Sequence, residues 1–394
     1  MSQRAAIAGV GMTAFATPGK SAPYPQFAGD AVREALADAD VPYTDVQQVY
    51  VGYVYGDSTS GQRAVYDIGL TGVPIINVNN NCATGSTALY LARQAVEGGA
   101  ADCVLALGFE QMVRGALSSQ YSDRPDPLER FLTVAEQRHG ATDTPMALRL
   151  FGGAARDYAA RYGTKPETFA QITVKARRHA SLNPKAVFRD AVTLEEVLAS
   201  PMMFEPLTRL QCCPPTCGAA AALVVSPEYA RKRGLRADVA IAGQAISTDT
   251  EATFNSDLTA VVGRDMSAAA ARKVYELTGI GPQDIDVIEL HDCFTSNEII
   301  SYEALGLVPT GEAEKLVVDA DNTFGGRYVV NPSGGLLSKG HPLGATGLAQ
   351  CYELVRQLRG NAGPRQVDGA RVALQHNIGL GGACVVTLYR KVGK

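Results

Sequence analysis

The sequence predicts an α/β fold built from two duplicated halves, each with a mostly parallel β-sheet covered by helices. Three observations lead to this prediction. Segments with the character of strands and helices alternate along most of the chain, short stretches of the first half recur in the second, and residues 115–208 break the alternation. A length of 394 residues leaves room for two such halves, at roughly 150 residues per domain.

Two pairs of short segments are the evidence for the duplication. Residues 5–9 read AAIAG and residues 239–243 read VAIAG, and both have the apolar character of a buried strand. A second pair, residues 41–51 and 280–290, follows in the same order. Helices are predicted between the two echoes of each half, over residues 27–37 and 267–277. One echo is expected by chance, whereas two in the same order indicate an internal repeat.

Each half continues with the same alternation. The predicted elements of the first half are a strand at 74–78, a helix at 83–96, a strand at 103–107 and, after the break, a strand at 219–225. Those of the second half are a strand at 287–290, a helix at 344–358 and strands at 372–375 and 383–389. Ligands of such sheets bind at the carboxyl ends of the strands, so candidate catalytic residues are sought there.

Residues 115–208 are predicted to be an inserted helical and loop segment, because prolines and charged residues are frequent there and a helical pattern covers residues 167–180. The basic run from Lys175 to His179 is expected to be a solvated helix face, with a phosphate contact as the less favoured alternative. The chain is therefore divided into an N-terminal half (1–114 with 209–236), an inserted loop domain (115–208) and a C-terminal half (237–394).

Composition and charge exclude several classes of protein. The chain carries 36 Lys and Arg against 40 Asp and Glu, a net charge of −4, which gives no overall attraction to nucleic acid. No stretch approaches the ~20 apolar residues of a membrane span, and neither end reads as a secretory, peroxisomal or lipidation signal. The eight cysteines are expected to be reduced thiols. We expect a cytoplasmic enzyme without stable membrane insertion.

Cys82 is the first candidate for chemistry. It lies in the run NNNCATGSTA, residues 79–88, between a predicted strand and a predicted helix. Free N–H groups and the dipole at a helix N-terminus stabilise a thiolate, and small neighbours let a substrate approach the backbone. A nucleophilic cysteine is predicted here, with a buried structural cysteine in a tight turn as the alternative.

Two histidines stand at comparable turns. His291 begins the run HDCF directly after a predicted strand, with Cys293 beside it, and His341 lies in the run GHPLGATG before a predicted helix. A single histidine at such a turn is more often structural. Two of them together with two candidate cysteines favour Cys/His chemistry.

Two further runs contain residues that could form an oxyanion-binding or a metal-binding site. The run HNIGLGG, residues 376–382, is a glycine turn whose N–H groups can cradle an oxyanion. The cysteines of residues 212–217 lack a second cluster at metal-ligand spacing. A packed turn is therefore favoured over a metal site, and no metal is predicted.

Together these runs resemble the thiolase superfamily, and within it the sterol-carrier-protein-X type and its bacterial relatives. The run NPSGGLLSKGHP, residues 331–342, is highly specific. The resemblance covers nearly the whole chain and is strongest at residues 77–88, 103–110, 285–298, 331–350 and 372–389. It implies the thiolase fold, in which two similar α/β halves form a five-layered α-β-α-β-α core and a loop domain is inserted in the first half.

The resemblance also implies roles for single residues. Cys82 is expected to be the nucleophile that becomes acylated, and His341 the base that activates Cys82 and later CoA. His291 is expected to replace the family's usual asparagine in the first oxyanion hole, together with His341. Cys293 is expected to be the acid/base thiol, because this chain has Asn377 where many thiolases carry their second catalytic cysteine.

The remaining implied positions concern the backbone and the packing. The N–H groups of Cys82 and Gly379 are expected to form the second oxyanion hole. Cys384 lies beyond the glycine turn and is expected to be structural. Relatives usually have Ser-Asp-Gly where this chain has Thr216-Cys217-Gly218, so altered packing is expected near that end of the sheet.

The implied activity is thiolytic cleavage of 3-oxoacyl-CoA with bulky, branched or sterol-derived chains. CoA and acyl-CoA are then the substrates, no metal or redox cofactor is needed, and a homodimer or homotetramer is expected. The alternatives are a thiolase-fold aldolase-type lyase of steroid side chains, whose members lack the nucleophilic cysteine, and a non-catalytic acyl-CoA or lipid-binding protein. The presence of Cys82 argues against the lyase, and its occurrence together with His291, Cys293 and His341 argues against a non-catalytic protein.

Overall fold

Ten strands form one mixed sheet in the computed structural model, which describes residues 4–115 and 121–393. A separate two-stranded sheet contains the other two described strands. In chain order the strands are β1 (Ala6–Met12), β2 (Gln48–Gly52), β3 (Ile75–Val78), β4 (Cys103–Glu110), β5 (Met202–Phe204), β6 (Leu207–Thr208), β7 (Gly218–Val225), β8 (Val239–Ser247), β9 (Val287–Glu289), β10 (Val329–Val330), β11 (Val372–Gly379) and β12 (Ala383–Lys391).

The helices of the described residues include every helix that the sequence predicts. In chain order they are α1 (Tyr24–Ala39), α2 (Ser60–Tyr66), α3 (Thr84–Glu97), α4 (Glu129–His139), α5 (Met146–Tyr162), α6 (Pro166–Ser181), α7 (Leu194–Ala199), α8 (Pro227–Arg233), α9 (Leu258–Val261), α10 (Arg264–Thr278), α11 (Thr295–Ala304), α12 (Ala313–Val318) and α13 (Thr346–Arg359). None of these described helices has the length and apolar character needed to cross a membrane.

The strand order shows the duplication directly. From edge to edge it is β3-β2-β4-β7-β1-β8-β12-β11-β9-β10, so corresponding strands follow in the same order from either edge to the centre. There β1 pairs with β8, with Ile7 opposite Val239. A short 3₁₀ turn precedes β2 at Tyr43–Asp45 and β9 at Pro282–Asp284. The internal repeat predicted from two sequence echoes is therefore confirmed.

The prediction of mostly parallel strands is wrong. Within the described residues, five of the nine pairings of the large sheet are antiparallel and four are parallel. The three-residue turn 380–382 returns β12 beside β11, and so short a connection permits only an antiparallel pair. β7 also runs antiparallel to both of its neighbours, β4 and β1. Strand direction depends on where the connections cross, which hydrophobic periodicity does not record.

Helices cover both outer faces and also separate the two halves of the sheet. α1 packs on β1 and β7, and α10 packs on β8 and β12. α3 and α13 pack against each other and against strands of both halves, so they form a central layer. Leu89 on α3 and Leu348 on α13 belong to its core and have no exposed surface. The five-layered α-β-α-β-α arrangement implied by the resemblance is confirmed.

Small residues let these layers approach closely. β7 reads GAAAALVV and is buried along its whole length, as expected for a strand covered on both faces. At Gly9 on β1, a Cβ would lie 2.2 Å from the carbonyl oxygen of Ala35 on α1, so glycine is required at this crossing. The close packing of α3 and α13 brings together the turns that precede them, which carry Cys82 and His341.

The predicted insertion supplies α4 to α7 and the small β5–β6 sheet, and its residues 116–120 lie outside the described part of the chain. The segment boundaries themselves stay predictions. The expected solvated face is wrong for Lys175 and His179, whereas Arg178 between them is exposed as expected. Lys175 is 6% exposed and forms an ion pair with Glu298, while Nδ1 of the fully buried His179 donates to the carbonyl oxygen of Asn331 at 2.9 Å. The carboxylate of Glu298, which pairs with the buried ammonium of Lys175, is distant in the sequence. A pattern of neighbouring residues therefore does not indicate this pairing.

Candidate active site

The turn that carries Cys82 is held against the second half of the chain. Asn81 has a φ of +49°, a left-handed conformation that asparagine tolerates better than most residues. Its Nδ2 donates to the carbonyl oxygen of Leu380 at 3.2 Å. At Gly379 a Cβ would lie 2.0 Å from the carbonyl oxygen of Asn80, so glycine lets β11 end directly against this turn. Gly379, the last residue of β11, therefore lies against the turn that carries Cys82, while the oxyanion role of their N–H groups stays a prediction.

Cys82 is a buried, protonated thiol. It is 8% exposed, and its Sγ donates to Oδ1 of Asn81 at 3.5 Å. Burial raises the pKa of the thiol to about 12, and the charge of Glu110 adds to the increase. Desolvation of the sulfur opposes the predicted stabilisation of a thiolate by the dipole of α3, which begins only at Thr84, and the nucleophilic role of Cys82 stays a prediction. A nucleophile at Cys82 therefore needs a neighbouring base.

His341 is oriented to act as that base. Its Nδ1 lies 2.7 Å from Oγ1 of Thr346, whose own hydroxyl donates to the carbonyl oxygen of Pro342 at 3.0 Å. Since the hydroxyl proton of Thr346 is used there, the ring donates from Nδ1, and Nε2 carries the lone pair. Nε2 is buried, and no group of the described residues bonds to it. Burial lowers the pKa of His341 to about 3, with a further contribution from the charge of Lys339, so the ring is neutral at pH 7.

Cys82, His291 and His341 meet at one point. The sulfur and one nitrogen of each ring all lie within 4.8 Å of one another, and the two rings are nearly perpendicular with centroids 5.1 Å apart. Across residues 4–115 and 121–393, this is the one group of His, Cys, Asp and Glu side chains close enough to share a metal ion. Such a thiol with two neutral imidazoles is equally an arrangement for nucleophilic catalysis.

His291 follows β9 and is held on two sides. Asn297 on α11 donates to its carbonyl oxygen, and Nδ2 of Asn377 on β11 lies 3.0 Å from its Nδ1. Burial lowers the pKa of His291 well below its usual value, and the rings of His341 and His376 lower it further. His291 is therefore a neutral ring, which can donate one hydrogen bond to an oxyanion.

Cys293 lines the same cavity as Cys82 and is 4% exposed. Its carbonyl oxygen accepts the N–H of Cys213 at 2.9 Å, which holds this turn against residues 212–217. Burial raises the pKa of its thiol well above the usual value, and the nearby thiols of Cys213 and Cys82 raise it further. Cys293 is thus protonated, which is the form that can donate a proton to a carbanion.

A cavity of 440 Å³ opens onto these side chains. Phe151 on α5 and Phe294 stack in its wall with ring centroids 4.9 Å apart. The other apolar wall residues include Leu128, Leu132, Met146 and Ile378. Most of the apolar part of this wall comes from the insertion, in which no site residue was predicted. The sequence pattern that could have indicated this wall is the apolar pair Ala147 and Phe151, which lie four residues apart on one face of α5.

Glu110, at the end of β4, ties the two halves together beside this site. Its carboxylate is 1% exposed and accepts three backbone N–H groups, from Val54 at 3.0 Å, Tyr55 at 3.1 Å and Gly344 at 3.0 Å. Burial raises its pKa to about 7, against the opposing effect of these three donors. Gly344 follows His341 by three residues, so Glu110 positions the segment that carries the candidate base.

Altered packing was expected at Cys217, where the family resemblance had implied an aspartate. Cys217 is 1% exposed, and its Sγ donates to the carbonyl oxygen of Met112 at 3.4 Å. It packs in a small apolar cluster with Cys82, Met112 and Leu343. The thiol therefore fills an apolar position close to the candidate nucleophile.

Two sequence profiles of known families match most of the chain. The profile of the thiolase N-terminal domain matches residues 5–228, and the profile of the thiolase C-terminal domain-like family matches residues 245–388. The two matches divide the chain at β8, which lies at the centre of the sheet where the halves meet.

Individual proteins are similar over nearly the full length. Sterol carrier protein 2 of Rattus norvegicus is 56% identical over 392 residues, which cover 98% of this chain and 72% of that protein. Benzoylsuccinyl-CoA thiolase subunit BbsB of Thauera aromatica is 38% identical over 384 residues, 95% of this chain and 94% of that protein. Among solved structures, the Ltp2-ChsH2(DUF35) aldolase superposes with a TM-score of 0.83 at 28% identity, covering 99% of this chain and 98% of that one.

Proposed function

The chain belongs to the thiolase family, and from this premise we propose that it is a 3-oxoacyl-CoA thiolase that cleaves bulky, branched or sterol-derived substrates with CoA. Membership makes the chain an acyltransferase. The finer proposal rests on one observation: Cys82, His291 and His341 converge at an apolar cavity that Cys293 also lines.

The first half-reaction forms an acyl-enzyme. Cys82 gives its proton to the free Nε2 of His341, and the sulfur attacks the C3 keto carbon while the N–H groups of Cys82 and Gly379 hold the oxyanion. The C2–C3 bond then breaks. Its electron pair forms the enolate of acetyl-CoA or propionyl-CoA, and the acyl chain stays on the sulfur. His291 and the protonated His341 donate to the enolate oxygen, and the thiol of Cys293 protonates C2.

The second half-reaction restores the starting state. His341 passes its proton to the thiolate of Cys293, which regenerates both the acid and the base. CoA then gives its thiol proton to His341, and the CoA sulfur attacks the acyl carbon. The proton moves to Cys82 as that sulfur leaves, so the products are a shortened acyl-CoA and acetyl-CoA or propionyl-CoA. CoA enters only as a substrate, and we propose no metal or redox cofactor.

The proposed substrate range rests on the cavity. Its volume of 440 Å³ lies within the ordinary range of ligand pockets, about 300–1,000 Å³. Leucine, methionine and phenylalanine side chains of α4 and α5 contribute much of its wall. The wall is apolar along these helices, and Asp126, just before α4, is the one carboxylate among the described residues that line the cavity. Such a wall suits a hydrocarbon chain, because burial of apolar surface supplies the binding energy.

An aldolase-type lyase is the second candidate, because a similar structure is an aldolase. Such a lyase breaks a 3-hydroxyacyl-CoA without free CoA and needs no acyl-enzyme. In this chain a thiol lies beside an unpartnered imidazole nitrogen, and that pair favours the thiolase. A lipid-binding protein without catalysis is the third candidate, and it would use the cavity alone.

The experiment that tests the proposal follows CoA consumption and acyl-CoA products together. Purified protein is given 3-oxoacyl-CoA substrates with straight, 2-methyl-branched and sterol side chains, with and without free CoA. We expect one shortened acyl-CoA and one acetyl-CoA or propionyl-CoA for each CoA consumed. Cleavage of the matching 3-hydroxyacyl-CoA without free CoA would instead support the lyase. Tight binding without turnover of either substrate would support the lipid-binding protein.

We also propose that the chain forms a homodimer or homotetramer, with β3 at the interface. β3 is an edge strand of the sheet, and Ile76 on it is 39% exposed. Leu70 and Tyr66, a few residues before β3, are 79% and 48% exposed. A second copy of the same edge, related by a twofold axis, covers both the unpaired backbone groups and the apolar side chains.

Light scattering on the purified protein checks this proposal. We expect a mass of about 83 kDa for a dimer, twice the chain mass of 41.6 kDa. Ile76→Glu is expected to shift the mass toward one chain, because a carboxylate on the strand opposes pairing. Val318→Glu is the control, since Val318 is a 71% exposed apolar residue on α12. A wild-type mass of one chain at micromolar concentration would contradict the proposal.

The cytosol is the proposed compartment. All eight cysteines are free thiols, including the two at the candidate site. The proposed chemistry needs Cys82 and Cys293 reduced, and a reducing compartment keeps them so.

A further inference from the structure

A line of buried polar side chains leads from β12 to His291. Tyr389 on β12 donates to Oε1 of Gln375 on β11, and Nε2 of Gln375 donates to Oγ of Ser86 on α3 at 2.8 Å. Ser86 donates to Oδ1 of Asn377 at 2.7 Å, and Nδ2 of Asn377 lies 3.0 Å from Nδ1 of His291. Each of the five side chains is at most 1% exposed, so they must satisfy one another.

One backbone carbonyl sets the direction of these hydrogen bonds. Nε2 of Gln375 also lies 2.7 Å from the carbonyl oxygen of Gly347, which can only accept. That end of the amide is therefore the NH₂ group, and its other proton goes to Ser86. Because Ser86 already accepts this proton, its own hydroxyl proton points to Asn377. The amide of Asn377 turns its oxygen toward Ser86 and its NH₂ group toward His291.

The direction of the line determines where His291 carries its proton. Nδ1 of His291 accepts from Asn377, so it must hold a lone pair. A neutral imidazole has one N–H, which therefore lies on Nε2, the nitrogen left for a substrate. The opposite tautomer would place two N–H donors against each other in a buried position.

We propose that Asn377, oriented by Ser86 and Gln375, is a positioning residue that keeps the proton of His291 on Nε2 and so makes His291 a donor to the enolate oxygen. The catalytic consequence rests on the proposed thiolase function, whereas the tautomer does not. An unprotonated Nε2 would present its lone pair to the enolate oxygen, whereas an N–H group at Nε2 stabilises the enolate by donating a hydrogen bond. Acyl transfer to Cys82 uses the other oxyanion hole, so it does not require this tautomer.

Asn377→Asp reverses the last contact of the line with little change in side-chain size. One carboxylate oxygen still accepts from Ser86, and the other now accepts from Nδ1 of His291. The ring must then carry a proton on Nδ1. Because burial keeps the ring of His291 neutral, its Nε2 then loses its proton and no longer donates to the enolate.

Two kinds of measurement on the intact protein test the proposal. The ¹⁵N resonances of labelled histidines show which ring nitrogen is protonated, and His291→Asn identifies the signal of His291. We expect the proton on Nε2 in the wild type and on Nδ1 in Asn377→Asp. In the variant, kcat for cleavage of 3-oxoacyl-CoA is expected to fall about 10²–10³-fold, the usual effect of one lost oxyanion donor. Transfer of a saturated acyl group from acyl-CoA to Cys82 is expected to stay within about threefold of wild type.

Ser86→Ala tests the line without adding a charge. The amide of Asn377 loses its orienting partner and can turn over, so we expect signals of both tautomers and a loss in cleavage of about tenfold. Thr173→Val is the matched control. It removes a similarly buried hydroxyl on α6, which donates to the carbonyl oxygen of Leu210 at 3.1 Å and lies outside the line. This control is expected to leave both the His291 signal and cleavage unchanged.

A wild-type spectrum with the proton of His291 on Nδ1 overturns the proposal, whether or not the variants fold. Equal losses of acyl transfer and cleavage in Asn377→Asp overturn it as well, because they indicate general damage to the site. A wild type without CoA-dependent cleavage refutes the proposed thiolase function instead. The spectrum then still decides the tautomer.

Discussion

Cys82→Ala is expected to abolish CoA-dependent cleavage of 3-oxoacyl-CoA, with a loss of about 10⁴-fold or more in kcat. Alanine has no sulfur to hold the acyl chain while the C2–C3 bond breaks, and His341 then has no proton to accept. The turn itself is held by Asn81 and Gly379, so the backbone should keep its shape. Mass spectrometry after incubation with acyl-CoA is expected to find one acyl group on the wild-type Cys82 peptide and none on the variant.

Cys103→Ala is the matched control for this experiment. Cys103 is a fully buried thiol on β4, and burial raises its pKa to about 12, as for Cys82. It packs in the layer of α1 and does not line the cavity. Near wild-type activity is expected, which separates loss of the nucleophile from loss of a buried sulfur. A stable acyl group on another residue of Cys82→Ala would show that Cys82 is not the nucleophile.

Cys293→Ala is expected to separate the two chemical steps. Cys82 should still accept an acyl group from acyl-CoA, while cleavage of 3-oxoacyl-CoA falls about 10²–10⁴-fold. The reason is that Cys293 lines the cavity as a protonated thiol and is the proposed proton donor to C2 of the enolate. Without that proton the enolate recombines with the acyl-enzyme more often than it leaves as acetyl-CoA.

Deuterium exchange reports this step directly. Wild type in D₂O is expected to exchange the C2 protons of acetyl-CoA, and Cys293→Ala is expected to lose that exchange. Cys212→Ala is the control, because Cys212 lies in the strand bridge next to this turn, while its Sγ donates to the carbonyl oxygen of Thr208. A steady-state cleavage rate equal to wild type in Cys293→Ala would refute the acid/base role.

Local patterns in the sequence were enough to predict the alternation of the main strands and helices and their duplication. Residues 103–109 of β4 and the whole of β7 are unbroken apolar runs, and α3 and α13 follow turns of small residues. These patterns involve residues that are close together in the sequence, so they can be recognised without knowledge of the fold. The motif resemblance added the five-layered arrangement, which short-range periodicity alone does not contain.

The candidate site was predictable as a set of residues for a similar reason. Cys82, His291 and His341 stand at turns that follow strands or precede helices, and the duplicated topology brings such turns to the centre of the molecule. Their roles came from the resemblance and stay predictions. The sequence did not predict that the insertion lines the cavity, because this contribution depends on how α4 and α5 lie over the strand ends.

The sequence by itself thus determined the main strands and helices, the repeat and the chemical groups of the site. Only the tertiary structure decided the strand directions, the burial of Lys175 against Glu298 and the protonation of the site. The pKa of Cys82 rises to about 12 because distant segments exclude water from its sulfur. The tautomers of His291 and His341 follow from Asn377 and Thr346. Desolvation and hydrogen-bond direction are properties of three-dimensional neighbours, which the order of residues along the chain does not specify.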